Sequence, residues 1–325
     1  MTVRKLLCTF TLAAVAGLGM APAQAAWPSD RPINYIVPFS PGGGTDIIAR
    51  VVAQKLGKML DATVVVVNRP GAGGNIGTEQ VARAAPDGYT IGGASIATHS
   101  INTSLYPNLK IDPQQDFTPI SLIGTTPNVL IVNPATPYKT VQDLVEAGRQ
   151  SSHPLPFASA GAGTSQHLSA ELFGQMENLP LLHVPYKGAG PALTAVMAGE
   201  VPFSLENLIV ASPQIKTGAV RALAVTSPAR VDEFPDIPTM QEAGVAGYEV
   251  LSWQAIFAPA GLDPAIQEQL NRAIREIFRQ PDVIERMRGL GVDIVASSPE
   301  ALADFQASEI SKWAQVIEKG GIAVD

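Results

Sequence analysis

The stretch INYIVPFSPGGGTDIIAR, residues 33–50, contains the three parts of one β–α unit. Apolar side chains alternate from Ile33 to Phe39, which predicts a half-buried strand. The glycine-rich loop Gly42–Asp46 follows directly, and apolar residues then recur at helical spacing from Ile47 to Leu60. This segment is therefore predicted to form a strand, a glycine loop and a helix.

The same order recurs along the chain. Thr63–Asn68 is an apolar run typical of a parallel strand buried on both faces, and it precedes the loop Gly71–Gly77 and a helix over 78–84. A strand, the loop Ser159–Thr164 and a helix follow one another again in PFASAGAGTSQHLSAELFGQM, residues 156–176. Alternating strands and helices predict an α/β fold with parallel sheets and right-handed crossovers.

Other boundaries are predicted from capping patterns and short apolar runs. The pairs Thr140–Asp143 and Thr239–Glu242 have capping-box spacing, and each predicts the start of a helix. The segments SLIG (121–124) and VLIVN (129–133) are predicted strands. Asp263-Pro264 predicts the start of a long helix, because aspartate caps a helix and proline suits its first position.

The first 25 residues have the three parts of a secretory signal peptide. Arg4 and Lys5 form the basic region, Leu6–Met20 the apolar region and Ala23-Gln24-Ala25 an A-x-A cleavage site. Cleavage after Ala25 removes Cys8, the single cysteine, and leaves 300 residues with a net charge of −9. We therefore expect an exported protein without disulfides, and an uncleaved membrane anchor is the alternative.

Length and charge limit the possible classes of function. The chain has 325 residues, 46% of them hydrophobic, which is enough for two domains with their own cores. Its 22 basic and 29 acidic residues give a net charge of −7, which argues against binding to nucleic acid or to anionic membrane surfaces. No membrane-spanning helix is predicted after the N-terminal segment, because no apolar run there reaches about 18 residues.

The three glycine loops are candidate anion sites. A loop between a strand and a helix presents unpaired backbone N–H groups and the positive end of the helix dipole. None of the loops contains Lys or Arg, so a bound carboxylate would be held by N–H and hydroxyl donors. Tight turns are the alternative explanation. Asp46, Asn75 and Thr78 likewise have two interpretations, as ligand contacts or as ordinary cap and turn residues.

The sequence lacks the patterns of common enzyme sites. GAGGNIG does not have the G-x-G-x-x-G spacing, and the chain contains no P-loop, G-x-S-x-G or H-E-x-x-H motif. His99, His153, His167 and His183 are too scattered to indicate a metal site by spacing. We therefore predict a non-enzymatic protein without metal or cofactor. An exported nucleotide-dependent α/β enzyme is the alternative, because catalytic partners need not be close in sequence.

Four segments carry a resemblance to a known family. They are PGGGTD (41–46), NRPGAGGNIG (68–77), HVPYKGAGPALTAVMAGEV (183–201) and FPDIPTMQEAG (234–244). Together they resemble the Bug (TctC-type) periplasmic substrate-binding proteins, which serve tripartite tricarboxylate transporters. The resemblance covers essentially the whole chain after the signal peptide.

This resemblance implies a two-domain Venus-flytrap periplasmic binding protein fold. Each α/β domain would contain a mostly parallel sheet flanked by helices. The first domain would comprise residues 26–125 and 250–325, and the second residues 126–249.

It also implies a ligand and partners. A monomer in the periplasm would bind a small carboxylate in the cleft between the domains and deliver it to the membrane permease subunits. The ligand would be a di- or tricarboxylate, including aromatic dicarboxylates such as terephthalate. Presentation of the liganded protein to a sensor kinase is the alternative use of the same cleft.

The resemblance further implies a set of ligand-binding residues. They are Phe39, Gly43, Gly44, Thr45, Asp46, Gly74, Asn75, Ser95, Thr98 and His99 from the first domain, and Ser159, Thr164, His167, Glu206 and Asn207 from the second. Many relatives have an Asp-Asn pair in place of Glu206-Asn207. A longer acid could shorten the pocket or pair differently with the ligand. The identity of the ligand is therefore not inferred from relatives.

Overall fold

The structure, a computed structural model, describes residues 27–28 and 30–323. The predicted signal peptide and its cleavage site after Ala25 lie outside the described residues. The strands described are β1 (Ile33–Val37), β2 (Val64–Asn68), β3 (Thr90–Ser95), β4 (Phe117–Val132), β5 (Leu155–Ser159), β6 (Leu181–Pro185), β7 (Phe203–Asn207), β8 (Arg221–Val225), β9 (Leu251–Pro259) and β10 (Asp293–Ile294).

Helices lie between these strands and at the C-terminal end. They are α1 (Gly44–Leu60), α2 (Asn75–Ala82), α3 (Asn102–Leu105), α4 (Val141–Gln150), α5 (Ser165–Glu177), α6 (Ala189–Ala198), α7 (Leu208–Lys216), α8 (Pro264–Ile277), α9 (Pro281–Gly289) and α10 (Pro299–Gly320), with a 3₁₀ turn at Ala72–Gly74 and a π-helical segment at Ala97–Ile101. Over the residues that the structure describes, no helix is both long enough and apolar enough to cross a bilayer.

The first sheet has the strand order β2-β1-β3-β9-β4, and β10 pairs with β4. β1, β2 and β3 are parallel, whereas β9 is antiparallel to both β3 and β4. β4 therefore runs in the same direction as β3, and most strands of this sheet point one way. The carboxyl ends of β1 and β3 consequently lie at one edge, where open α/β sheets bind ligands.

The second sheet has the strand order β6-β5-β7-β4, and β8 pairs with the other side of β4. β5, β6 and β7 are parallel, and β4 is antiparallel to β7 and β8. Most strands of each sheet thus point in the same direction, as predicted. Each sheet, however, contains a long strand that runs against its neighbours.

The strand β4 is shared by the two sheets. Phe117–Pro127 pairs with β9 in the first sheet, and Asn128–Val132 pairs with β7 and β8 in the second. The prediction of two separate strands in this region was wrong, because partners on either side continue the hydrogen bonding past Gly124 and Pro127. The 16-residue strand physically connects the two sheets.

Two other local predictions were wrong. Thr63–Asn68 was predicted to be a strand buried on both faces, but β2 is an edge strand and the side chain of Val65 is 41% exposed. Thr239 and Glu242 do form the reciprocal capping hydrogen bonds, yet the chain makes only a turn there. The capping box at Thr140–Asp143 does open a helix, α4.

The C-terminal helix α10 packs against the first sheet. Trp253 of β9 and Trp313 of α10 are each 1% exposed, and both indole N–H groups donate to Glu309 Oε2, at 3.1 and 3.2 Å. Gln306 donates to the carbonyl oxygens of His99 and Pro113. Helix α10 is thereby fixed to the first sheet.

Candidate functional site

A small cavity lies where the strand ends of the two sheets face each other. Its volume is about 40 Å³, enough for only a few water-sized groups. It is lined by Phe39, Gly43, Gly44, Thr45, Ser95, Ile96, Ala97, Ala160, Thr164, Ser165, Gln166, Ala189, Asn207, Ser252 and Gln254. These side chains include no acid and no base.

Four α-helices begin at this cavity. α1 starts after Gly43, α5 after Thr164, α6 at Ala189 and α7 after Asn207, and these helices are 17, 13, 10 and 9 residues long. Helix N-termini present unpaired N–H groups and partial positive charge. The cavity therefore has a positive electrostatic bias without a cationic side chain.

The first glycine loop supplies one wall. Thr45 Oγ1 donates a 2.7 Å hydrogen bond to Gln254 Oε1, which fixes the amide of Gln254 beside the first turn of α1. Gly44 faces Asn207 from the opposite sheet, because a Cβ at Gly44 would lie 3.3 Å from Asn207 Oδ1. The absence of a side chain at Gly44 lets the second sheet approach this closely.

Asp46 belongs to the same loop but is fully engaged by the protein. Its carboxylate accepts hydrogen bonds from the backbone N–H of Gly42, from Asn68 Nδ2 and from the guanidinium of Arg50. Burial alone would raise the pKa of Asp46, but the bonds from Arg50, Gly42 and Asn68 outweigh it and lower that pKa. These contacts hold the loop before α1, but none of them comes from a backbone N–H of the helix itself.

The third glycine loop supplies the opposite wall. Thr164 caps α5, since its Oγ1 accepts from the backbone N–H of His167, and it also donates to Gly161 O at 2.7 Å. Ser165 and Gln166 in the first turn of α5 line the cavity. Gly163, with φ of +80°, allows the loop to pass close to Asn102.

The end of β3 forms a further side. Ser95 lines the cavity together with Ile96 and Ala97. Thr98 turns inward, where its Oγ1 accepts from Ser95 N–H and contacts His99 Nδ1 at 3.0 Å.

His99 lies in the apolar core and not at the cavity. Its ring stacks on Phe257 at 4.3 Å and meets the edge of Phe117 at 4.7 Å. Burial lowers the pKa of His99 to about 3, so the ring is neutral.

The second glycine loop lies behind the cavity. A Cβ at Gly74 would be 2.5 Å from Thr98 Cγ2 and 3.0 Å from Phe39 Cζ, so this glycine supports the residues that form the wall. Asn75 Oδ1 accepts from Asn102 Nδ2 at 2.6 Å, and Asn75 lines a separate groove beside Tyr106.

Ser159 and His167 form a buried cluster next to the third loop. Ser159 Oγ is 2.6 Å from His183 Nε2, and the rings of His167 and His183 stack 3.9 Å apart. Gly163 N–H donates to His167 Nδ1. Burial lowers the pKa of His167 to about 3 and that of His183 to about 4, so both rings are neutral at pH 7.

Glu206 lies beneath the cavity instead of in its lining. Its Oε1 accepts from Gln166 Nε2 at 2.9 Å and from the backbone N–H of Asn207 at 2.8 Å. Glu206 Oε2 and Asn207 Oδ1 are buried and have no hydrogen-bond partner among the described residues.

The predicted site residues thus divide into two groups. The cavity lining contains Phe39, Gly43, Gly44, Thr45, Ser95, Thr164 and Asn207, whereas Asp46, Gly74, Asn75, Thr98, His99, Ser159, His167 and Glu206 lie behind it or apart from it. Which of them contact a ligand stays a prediction.

The predicted set lacks eight lining residues: Ile96, Ala97, Ala160, Ser165, Gln166, Ala189, Ser252 and Gln254. Ser252 and Gln254 had a detectable signal, because they are two residues apart in an otherwise apolar strand and so share one face. Gln166 had no such signal, because a polar residue in the first turn of a helix is common in any sequence.

The two sides of the cavity also touch outside it. Tyr106 Oη donates to Ala162 O at 3.2 Å, and Ser40 Oγ donates to Lys187 O. Both bonds join residues near the first sheet to residues near the second. These two bonds hold the two walls of the cavity together.

No cluster of three or more His, Cys, Asp or Glu side chains suited to a metal ion occurs within the described part of the chain. The chemistry that the site offers is hydrogen bonding by N–H, hydroxyl and amide groups. Such groups can hold an anion through charge-assisted hydrogen bonds.

Comparisons with known proteins give consistent similarities. The family model described as "Tripartite tricarboxylate transporter family receptor" matches residues 48–322. The chain is 38% identical to Protein BugT of Bordetella pertussis over 309 residues, which is 95% of this chain and 94% of that protein.

Two solved structures extend the comparison. R. palustris Rpa4515 with adipate has 35% identity and a TM-score of 0.89, covering 91% of this chain and 99% of that one. MatC from Rhodopseudomonas palustris with bound malate has 32% identity and a TM-score of 0.85, covering 89% and 99%. The predicted Bug-type resemblance and periplasmic binding protein fold are confirmed.

Proposed function

The chain belongs to the family of tripartite tricarboxylate transporter receptors, which are periplasmic solute-binding proteins and not enzymes, and we propose that it captures a small di- or tricarboxylate in the cavity between its two sheets. The observation that carries this proposal is the convergence of four helix N-termini on a cavity without cationic side chains. Each N-terminus stabilises an anion by about 0.3–1 kcal/mol at an exposed position and by more when buried.

The two glycine loops at the cavity support opposed binding of two carboxylates. Gly43–Thr45 lies on the first-sheet side and Thr164–Gln166 on the second-sheet side. A ligand with carboxylates at both ends would contact both helix N-termini at once. Because the cavity has room for only a few water-sized groups, its two walls must move apart to admit such a ligand. Malate and adipate, named with the neighbouring structures, are both of this kind.

We also propose the division into domains that the sequence predicts, residues 26–125 with 250–325 and residues 126–249. The switch in β4 pairing between Pro127 and Asn128 supports the first boundary. Val250 N–H donates to Thr226 O beside β8, and Leu251 then pairs with Pro127, which supports the second boundary. The cavity would then lie between two bodies joined by two chain segments.

The proposal is tested by thermal unfolding in the presence of candidate ligands. The panel contains acetate, malate, adipate, citrate and terephthalate, with ATP and NAD as controls. A ligand that binds only the folded state at 100 times its Kd adds about 2.7 kcal/mol of stability. We expect stabilisation by at least one di- or tricarboxylate and none by nucleotides. Stabilisation by nucleotides alone, or by no carboxylate, would contradict the proposal.

Delivery to membrane permease subunits is the further part of the proposal. We expect the liganded protein to be retained on membranes that contain the two membrane subunits of a tripartite transporter, and size-exclusion chromatography to give a monomer. Retention on membranes that carry only a sensor kinase would favour the signalling alternative instead.

A further inference from the structure

The carboxyl group of Glu206 occupies an unusual position directly beneath the anion cavity. The residue is completely buried at the end of β7. Its two hydrogen bonds both end on Oε1 and come from residues of the cavity lining, Gln166 and Asn207. Oε2 has no partner among the described residues. One layer of protein atoms therefore separates this acid from the space assigned to a ligand carboxylate.

The elements packed against β7 provide no counter-charge for this acid. β4, β5 and α6 contain no charged residue, and α7 carries only Lys216, in its last turn, where it pairs with Glu233. α5 carries His167, Glu171 and Glu177, and Glu177 pairs with Arg149. Of these groups, none is bonded to Glu206 in the described contacts.

This environment favours the protonated acid. Burial raises the pKa of Glu206 to about 7, against the smaller lowering effect of the bonds from Gln166 and Asn207. A carboxylate in the cavity would add a like charge on the other side of Gln166 and Asn207, which raises the pKa of Glu206 further. An ionised Glu206 and a bound anion therefore oppose each other.

A direct salt bridge between Glu206 and an ammonium group of a ligand is the competing use of this acid. Glu206 is absent from the cavity lining, and Gln166 and Asn207 lie between it and the cavity. An ammonium group in the cavity would reach these amides before it reached the carboxylate. The geometry accordingly favours proton binding by Glu206 over cation binding.

We propose that capture of an anionic ligand is coupled to uptake of one proton by Glu206, which acts as a positioning residue beneath the cavity. The proton comes from solvent and binds the unpartnered Oε2, so the floor of the cavity is neutral when the ligand is bound. Oε1 keeps its bonds to Gln166 and Asn207 in both states and so holds these two lining residues. This inference rests on the proposed carboxylate-binding function.

The proton on Glu206 can be tested first without any ligand. A group whose pKa is raised on folding stabilises the fold at low pH, and here that contribution is lost as the pH rises from about 4.5 through about 7. Glu206→Gln copies the neutral acid. We expect its Tm to exceed that of the unchanged protein by an amount that grows over this range. Glu200→Gln, an exposed acid with the same change in net charge, should follow the unchanged protein. Parallel curves for Glu206→Gln and the unchanged protein would overturn the inference.

Coupling to the ligand is tested by calorimetry with malate and adipate in buffers of different ionisation enthalpy. Both acids are fully ionised above pH 7, and His167 and His183 are neutral there. We expect proton uptake per ligand by the unchanged protein to increase toward one as the pH rises above 7, with a loss of up to tenfold in affinity per pH unit. Glu206→Gln should take up none, and its affinity should not vary with pH.

Two outcomes separate the coupling from the function itself. Equal proton uptake by the unchanged protein and by Glu206→Gln would overturn the coupling. If neither protein binds either acid at any pH, the proposed function fails instead. The ligand-free unfolding experiment then still decides whether Glu206 holds a proton.

Discussion

Single residues around the cavity divide into donors that face it and residues that fix those donors. Thr45 fixes the amide of Gln254 at the cavity, and Thr164 caps α5 from beneath. Asp46 has the same kind of supporting role, because all its acceptor contacts are to its own loop and its neighbours.

Gln254 and Asn75 provide a direct test of this distinction. Gln254 lines the cavity, whereas Asn75 binds Asn102 at a separate groove. We expect Gln254→Leu to weaken carboxylate binding at least about tenfold, because a hydrogen bond to a charged group contributes about 1.5–3 kcal/mol. Asn75→Leu should change the Kd by less than about twofold in the same titration. The opposite ranking would show that the loop Gly71–Gly77 contacts the ligand, as the family resemblance implies.

Among the secondary-structure elements, the first turns of the helices determine the chemistry of the site. α1 and α5 begin on opposite sides of the cavity, so each sheet contributes its own set of N–H donors. Gly44 in the first turn of α1 faces Asn207 at the cap of α7. The contact between these two helix starts depends on a small residue at position 44.

Gly44→Ala should therefore weaken ligand binding without lowering the stability of the unliganded protein. The added Cβ would lie 3.3 Å from Asn207 Oδ1, so we expect weaker ligand binding because the walls close less tightly. The Tm of the unliganded protein should not fall, since alanine favours helix more than glycine by about 1 kcal/mol. Gly190→Ala, in the first turn of α6 with open space around it, is the matched control. Equal Kd values for the two variants would contradict this explanation of Gly44.

A few hydrogen bonds outside the cavity join the two sides of the molecule. The chain passes between the two sheets only twice in the described residues, within β4 and just before β9. Contacts such as Tyr106 to Ala162 join the two sides without touching the lining. Opening for ligand entry must break these contacts while the strand connections stay intact.

Tyr106→Phe removes one of these closing bonds and leaves the cavity unchanged. A hydrogen bond of this kind contributes about 0.5–1.5 kcal/mol, so we expect about a two- to tenfold loss of affinity, mainly through faster ligand release. Stopped-flow or surface binding kinetics would measure the release rate. Tyr138→Phe, outside the cavity lining, is the control. An unchanged release rate in Tyr106→Phe would show that this bond does not contribute to closure.

The local units of this protein were predictable from patterns in the sequence. The strand, glycine loop and helix of residues 33–60 are present as predicted, and so are the capped starts of α4 and α8. The reason is that periodicity, glycine conformation and capping hydrogen bonds act within a few residues. The family resemblance supplied the two-domain architecture.

The set of residues that meet at the cavity depends instead on long-range packing. Gln166 and Gln254 come from distant parts of the chain, and no local pattern joins them. The same holds for Glu206, whose burial and unpartnered oxygen depend on α5 and β4 packing against β7. The joined strand β4 and the exposed edge strand β2 were likewise decided by their partners. Pairing and burial are long-range properties, because they depend on the residues that folding brings alongside.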